Sequence, residues 1–254
     1  IGIPTFEYSE VINHREDIFS DTINNLGSFE YMQNLYANGE GLNLKLGGIY
    51  RLNDNIKIGG ALHTPTVFNI QEEFRTITQA NFTDTSYREY SPINYFEYEL
   101  TTPWKAIASI SANIDNRILL SADYEIIDYS TSKLRANNLR NDDGTEIFYN
   151  ENNNIESNYG KTENIRLGVE YKMDTYSFRA GYIRNSSPLL ENEEILSENF
   201  SFGTGINYGS YYFDLAYILS QRSDNYQMYN SEFINSTDLV YTNHNVVITL
   251  GLRY

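Results

Sequence analysis

HNVVITLGLRY, residues 244–254, alternates without a break between two kinds of residue. Val246, Ile248, Leu250, Leu252 and Tyr254 fall on one side of an extended backbone, and Asn245, Val247, Thr249, Gly251 and Arg253 on the other. A period of two with one wholly apolar side predicts a strand lying between two different environments. The stretch ends on an aromatic residue of the apolar side.

The same alternation recurs upstream. Leu42, Leu44, Leu46, Gly48 and Tyr50 oppose Asn43, Lys45, Gly47 and Arg51, and Trp104, Ala106, Ala108, Ile110 and Ala112 oppose Lys105, Ser109, Ser111 and Asn113. Ile118, Leu120, Ala122, Tyr124 and Ile126 oppose Arg117, Ser121, Asp123 and Glu125; later strands follow suit, with Phe178 and Tyr182 against Arg179, and Phe200 and Phe202 against Ser201. Nine strands result, over about 40–52, 55–74, 91–114, 117–131, 161–172, 175–185, 198–208, 210–221 and 241–254. Two-residue connections with Asn, Asp or Gly sit at LNDN (52–55), IDNR (114–117), KMDT (172–175) and NYGS (207–210). Long polar connections, roughly 75–90, 131–160, 186–197 and 221–240, alternate with them. Strict alternation of short and long connections predicts an all-β, antiparallel, up-and-down barrel.

Periodicity leaves open which face of such a barrel is inside, since a soluble barrel packs its apolar face inward. Two features favour a transmembrane β-barrel. Charged residues lie mid-strand on the polar face, and aromatic residues (Tyr50, Trp104, Tyr124, Tyr208, Tyr211) crowd strand ends on the apolar face, as interfacial girdles do. The composition agrees. Only 41% of the 254 residues are hydrophobic, yet Tyr (23) and Phe (13) abound. No run of about 18 apolar residues exists, which excludes transmembrane helices but suits strands in which every second residue faces lipid. There is no cysteine, so no disulfide or thiolate metal site. A net charge of -16 argues against nucleic acid as a partner.

Residues 1–39 lack the alternation. SDTINNLGSFEYMQNLYANGEG reads as one or two short helices, with Asp21 as a cap and Ile23, Leu26, Phe29 and Tyr31 near helical spacing. The expected organisation is therefore an extracellular loop with short helices over 1–39, and barrel strands over 40–254 with short periplasmic turns and long extracellular loops. IGIPTFEYSE has neither the basic start nor the apolar core of a signal peptide. Single-chain bacterial barrels have an even number of strands with both ends in the periplasm, so nine strands suggest a C-terminal piece of a larger barrel.

GLNLKLGGIYRLNDNIKIGGALHTPT, ELTTPWKAIASISANIDNRILLSADYEIIDYSTSKL and ENIRLGVEYKMDTYSFRAGYIRNSSPL resemble the FadL-type outer-membrane protein transport family, particularly its Bacteroidetes branch. LLSADYEIIDYS (119–130) is the most specific piece, and the resemblance covers about 40–254. It implies a fourteen-stranded barrel closed by an N-terminal hatch, of which this chain would carry the last nine strands. It also implies passive, ligand-gated diffusion of a hydrophobic compound such as a long-chain fatty acid, with no ATP or TonB-type coupling. The bacterial outer membrane would be the location. The expected partners are a fatty acid-like ligand, outer-membrane lipid and lipopolysaccharide, around a monomeric barrel with no cofactor.

An amphipath moving through a polar lumen needs apolar surface and a cationic group for its head. Lys45, Arg51, Lys105, Arg117 and Arg179 are the candidates, with Lys57, His63 and Arg166 behind them; each has the alternative of a lumen ion pair with Asp123, Glu125, Glu170 or Asp214. Ile49, Ile107, Leu119 and Ile127 are apolar positions on the otherwise polar face. In the N-terminal segment, Phe19, Leu26, Phe29, Met32, Leu35 and Tyr36 are candidates for a landing groove. His14, His63 and His244 are scattered, without metal-ligand spacing, and no G-x-S-x-G accompanies them, so no catalytic or metal site is expected. Beside hydrophobic-compound transport stand two alternatives, a scaffold or shuttle in protein secretion or surface attachment, and a general porin.

Overall fold

The computed structural model describes residues 1–19, 25–136, 140–141, 144–190, 195–227 and 235–252. The expected cap Asp21, with Ile23, Arg253 and Tyr254, lies outside these. The chain divides into two compact units, one of residues 1–44, 65–102 and 132–152, the other of residues 45–64, 103–131 and 153–254.

The second unit is a nine-stranded antiparallel sheet. Its strands are β3 (Lys45–Arg51), β4 (Ile56–His63), β8 (Lys105–Ile114), β9 (Ile118–Asp128), β11 (Lys161–Met173), β12 (Tyr176–Ser186), β13 (Ile195–Tyr208), β14 (Tyr211–Tyr226) and β15 (Thr237–Leu252). They pair in chain order, β3 to β15, with the two ends of the path at β3 and β15. The four expected tight turns are present, and local chemistry explains each. Asp115 and Asn116 both adopt positive φ (49° and 53°), the conformation a two-residue hairpin loop needs to match strand twist. Asp174 (φ 54°) and Gly209 (φ 60°) do the same at their turns. In the turn after β3, the Asn53 carboxamide oxygen accepts from the backbone N–H groups of Asn55 and Ile56 at 2.9 and 2.8 Å.

Register joins the apolar positions into one continuous face. Leu46 pairs with Leu62, Leu62 with Ala106 and Ala106 with Ile126. Further along, Leu167 pairs with Ala122 and Tyr182, Ala180 with Phe202, Phe202 with Tyr217, and Tyr217 with Val246. This face is bare: Phe202 is 59% exposed, Ile248 62% and Leu250 78%. Soluble monomers rarely expose a contiguous apolar patch beyond a few hundred Å². Among the described residues only Ala37, Ile70 and Ile127 are buried hydrophobics, so the sheet has no apolar core of its own on either side. Aromatic side chains edge the bare face. Tyr50, Tyr171, Tyr176, Tyr208 and Tyr211 lie at the tight-turn end. On β12, Tyr182 lies six residues from Tyr176, about 20 Å along the strand. Its ring packs 5.0 Å from that of Phe200.

The first unit is a six-stranded antiparallel sheet. It comprises β1 (Thr5–Asp17), β2 (Leu26–Leu42), β5 (Val67–Phe82), β6 (Ser86–Tyr90), β7 (Asn94–Thr101) and β10 (Lys133–Arg135). This corrects the helical expectation for residues 1–39: β1 and β2 form a hairpin with Thr5 opposite Glu40 and Asp17 opposite Ser28. Partner strands override helical spacing here, because β5 takes up the other edge of β2 along its whole length. It also corrects the connections expected over 75–90, 131–160 and 221–240. β5 runs to Phe82 and is followed by β6, a ten-residue helix α1 (Tyr149–Asn158) occupies the second, and β14 and β15 extend into the third.

Five strand pairs are consecutive in sequence but belong to different sheets: β2 and β3, β4 and β5, β7 and β8, β9 and β10, and β10 and β11. Pro65 and Pro103 stand at two of these breaks, where a missing N–H ends the ladder. Side chains take over there. Thr102 Oγ1 accepts from the Thr66 N–H at 2.9 Å, and Asn43 Nδ2 donates to Thr66 Oγ1 at 2.8 Å. A small aromatic cluster of Phe96, Tyr98 and Phe148 packs within this unit, with ring centroids 5.6–5.7 Å apart. Tyr98 donates its hydroxyl to Glu72 at 3.1 Å.

The two faces of the nine-stranded sheet predict opposite tolerance to charge. Leu167→Arg on the apolar face is expected to cost about 2–4 kcal/mol, as a cation placed against lipid does. Ser109→Lys on the other face, opposite Asp123, is expected to stay within about 0.5 kcal/mol. Denaturant unfolding of the vesicle-reconstituted protein measures both, and the reverse order would mean that the apolar face is not the lipid face. Glycine spacing gives a second expectation. A Cβ on Gly251 would overlap the Tyr212 ring, whereas one on Gly48 meets nothing within 4 Å. Gly251→Leu should therefore destabilise by about 1–3 kcal/mol in the same assay, and Gly48→Ala by much less.

Candidate functional site

The polar face of the nine-stranded sheet gathers most of the charged candidates in transverse rows. In the row farthest from the tight turns Lys45 pairs with His63, His63 with Lys105, Lys105 with Ile127, and Ile127 with Thr162. The next row runs Gly47, Ala61, Ile107, Glu125 and Asn164. Directly opposed Cβ atoms lie about 4.5–5.5 Å apart, so each row is a contiguous strip of side chains.

Glu125 anchors the second row. It is 4% exposed, and three groups hold it: Lys105 Nζ at 3.3 Å, Arg166 Nη2 at 3.2 Å and Asn164 Nδ2 at 2.9 Å. A buried carboxylate needs such compensation to stay ionised. Asn164 is itself buried and accepts from the Ser186 backbone N–H at 3.2 Å, which fixes its amide toward Glu125. Thr162 is 2% exposed and its Oγ1 makes no hydrogen bond.

A second network spans β11, β12 and β14. Arg179 bridges Glu170 and Asp214 at 2.5 and 2.6 Å, and Lys172 joins Glu170 at 3.0 Å. Gly205 makes room for it, since a Cβ there would collide with the Asp214 carboxylate and meet Ser177 Oγ at 2.7 Å. For Arg179 the ion-pair alternative is what the structure contains.

The remaining cations differ. Lys45, Arg51, Lys57 and Arg117 form no ion pair with a described residue. Arg51 stands directly across from Lys57, a like-charge pair beside the tight turn. Arg117 is in the β8–β9 turn, where its carbonyl accepts from the Lys172 N–H at 2.7 Å. Ile49, Ile107, Leu119 and Ile127 all lie on the polar face, and Ile127 is 5% exposed.

The landing-groove residues are not brought together. On strand β2 alternate residues face opposite ways, so Phe29 and Leu35 share one side and Met32 and Tyr36 the other. Leu26 precedes a register irregularity at Leu26/Ser28, and Phe19 follows β1, almost wholly exposed. The helical spacing that grouped them does not apply to a strand. Thr162 and Asn164 were not singled out from sequence. Their signal is the alternating run Thr162, Asn164, Arg166, three polar residues on one face opposite Glu125 and its neighbours. Two open apolar grooves lie elsewhere, one of about 770 Å³ around Tyr208, Tyr211, Leu250 and Leu252, the other of about 400 Å³ around Tyr50 and Ile58. Ile49 lines the smaller one, and neither is lined by a basic candidate or a landing-groove residue. No group of three or more potential metal ligands exists among the described residues.

No protein-family model matches the sequence, and no curated protein sequence matches it. Solved structures with a related arrangement include two of the Pseudomonas putida toluene transporter TodX. The first has a TM-score of 0.45 at 13% identity and the second 0.49 at 12% identity; each match covers 98% of this chain and 70% of that one. A Pseudomonas aeruginosa FadL homologue gives a TM-score of 0.43 at 12% identity, over 97% of this chain and 73% of that chain.

Proposed function

We propose that the nine-stranded sheet is part of the wall of a bacterial outer-membrane β-barrel, and that the protein carries hydrophobic small molecules, fatty acid-like amphipaths among them, across that membrane by passive diffusion. The observation that carries this reading is the sheet's two-sidedness. One face is apolar, bare and edged by aromatic residues, and the other holds paired charges with isolated apolar side chains between them. Lipid satisfies the first face, and a lumen the second. Within a bilayer the outer edges of β3 and β15 also need hydrogen-bond partners, so closure into a barrel follows from the same reading.

Two features favour a hydrophobic passenger over small hydrated solutes. Ile107 and Leu119 interrupt the polar face, each directly opposite a carboxylate, Glu125 or Glu170. They provide apolar contact beside the ion-paired groups of the polar face. Two connections between strands of this sheet, β4 to β8 and β9 to β11, contribute strands to the six-stranded sheet with its own aromatic cluster, rather than open loops.

Reconstitution into liposomes tests this. Saturable, protein-dependent entry of dodecanoate without swelling in maltose is the expected result. Swelling in maltose would instead identify a porin. Entry of neither, with a stoichiometric protein partner retained through purification, would move the protein to the scaffold class.

A further inference from the structure

β3, β4 and β8 are adjacent strands of one sheet, and together they contain Lys45, Arg51, Lys57, His63 and Lys105 but not a single Asp or Glu. The chain as a whole has 34 acidic and 18 basic residues, so this stretch runs against its composition. All five basic side chains lie on the polar face. Three of them, Lys45, His63 and Lys105, are directly cross-strand from one another in a single row. Carboxylates on the neighbouring strand answer only part of this charge. Glu125 takes Lys105 and Arg166, while Lys45 has no ion-pair partner among the described residues.

Lys45 and Lys105 lie on either side of His63, and of the two only Lys105 has a carboxylate partner among the described residues. The row therefore keeps a cation whose counter-charge the sheet does not supply. We infer that the Lys45–His63–Lys105 row is the seat for the anionic head of the transported amphipath, and that Glu125 is a built-in competitor for it. The inference rests on the transport reading above and names the ligand's charge and the residue that opposes it.

The geometry sets out how the seat works. Lys45 and Lys105 flank His63, so a carboxylate placed over His63 has an ammonium group on either side and an imidazole beneath it. Gly47 and Ala61 form the adjoining row with no bulk, which leaves room for the chain of the ligand to lie toward Ile107. Ile127 is next to Lys105, and the buried Thr162 beyond it has an unused hydroxyl. Lys105 turns to Glu125 at 3.3 Å. An arriving carboxylate draws Lys105 off, and Glu125 remains held by Arg166 and Asn164. The ligand therefore exchanges one ion pair for another instead of desolvating a free lysine, which keeps binding weak enough for release.

This role for Glu125 makes a prediction that a purely structural role does not. Glu125→Gln keeps a side chain of the same size, still within reach of Asn164, while removing the competing charge. It should raise affinity for dodecanoate about tenfold and leave affinity for dodecanol unchanged, as expected for one charge-assisted hydrogen bond gained. Lys45→Gln and Lys105→Gln should each lower dodecanoate affinity by a similar factor, again without effect on dodecanol. Calorimetric titration of the purified full chain in detergent with both ligands reads these changes, and the denaturation midpoint of each variant checks that it is folded. Equal affinity for the two ligands in the parent protein overturns the inference and leaves transport standing, as does a Glu125→Gln variant that is folded but binds dodecanoate no more tightly. Binding of neither ligand overturns the transport reading itself.

Discussion

Everything in this protein depends on the backbone hydrogen-bond ladder between neighbouring strands. Few apolar side chains are buried, so the usual source of folding energy, a packed interior, is nearly missing among the described residues. What is present instead is an almost unbroken sequence of antiparallel pairings from β3 to β15. In a solvent that cannot hydrogen-bond, each such pairing is worth far more than in water, because the alternative is an unpaired amide in hydrocarbon. The tight turns are built to protect that ladder. Asp115 and Asn116 accept positive φ so that β8 can hand over to β9 without splaying.

The ladder also explains where the ladder fails. Pro65 and Pro103 remove donors at neighbouring strands, and Thr66, Thr102 and Asn43 replace the lost backbone bonds with side-chain ones. The chain then resumes pairing in a second sheet. Residues with the composition of loops, rich in Asn, Glu and Tyr, become strands there because each has a partner edge along its length.

Charge is distributed by the same logic. A low-dielectric setting penalises any isolated charge, so carboxylates are clustered with cations: Glu125 with Lys105 and Arg166, and Glu170 and Asp214 with Arg179. Against that background Lys45, Arg51 and Lys57, which have no carboxylate partner among the described residues, stand out. On the polar face Arg166, Lys172 and Arg179 of β11 and β12 all have carboxylate partners, while Lys45, Arg51 and Lys57 of β3 and β4 have none among the described residues.

A period of two, and turns of Asn, Asp and Gly at fixed intervals, located the strands of the larger sheet and said which residues share a face, but they drew 40–52, 55–74 and 91–114 as single strands, each of which the structure divides between the two sheets. These are local properties: alternation is imposed by the pleat, and positive φ by the turn, whatever else surrounds them. Residues 1–39 misled for the complementary reason. Leu26, Phe29, Met32 and Leu35 carry helical spacing, and only the neighbouring β1 and β5 edges make them a strand. The binding candidates divide the same way. That Lys45, Lys105 and Arg179 lie on a polar face was legible from alternation. That Arg179 is spent on Glu170 and Asp214, that Lys105 is shared with Glu125, and that Lys45 and His63 stand beside it was decided by strand register, which brings together residues up to sixty positions apart and which no local pattern encodes.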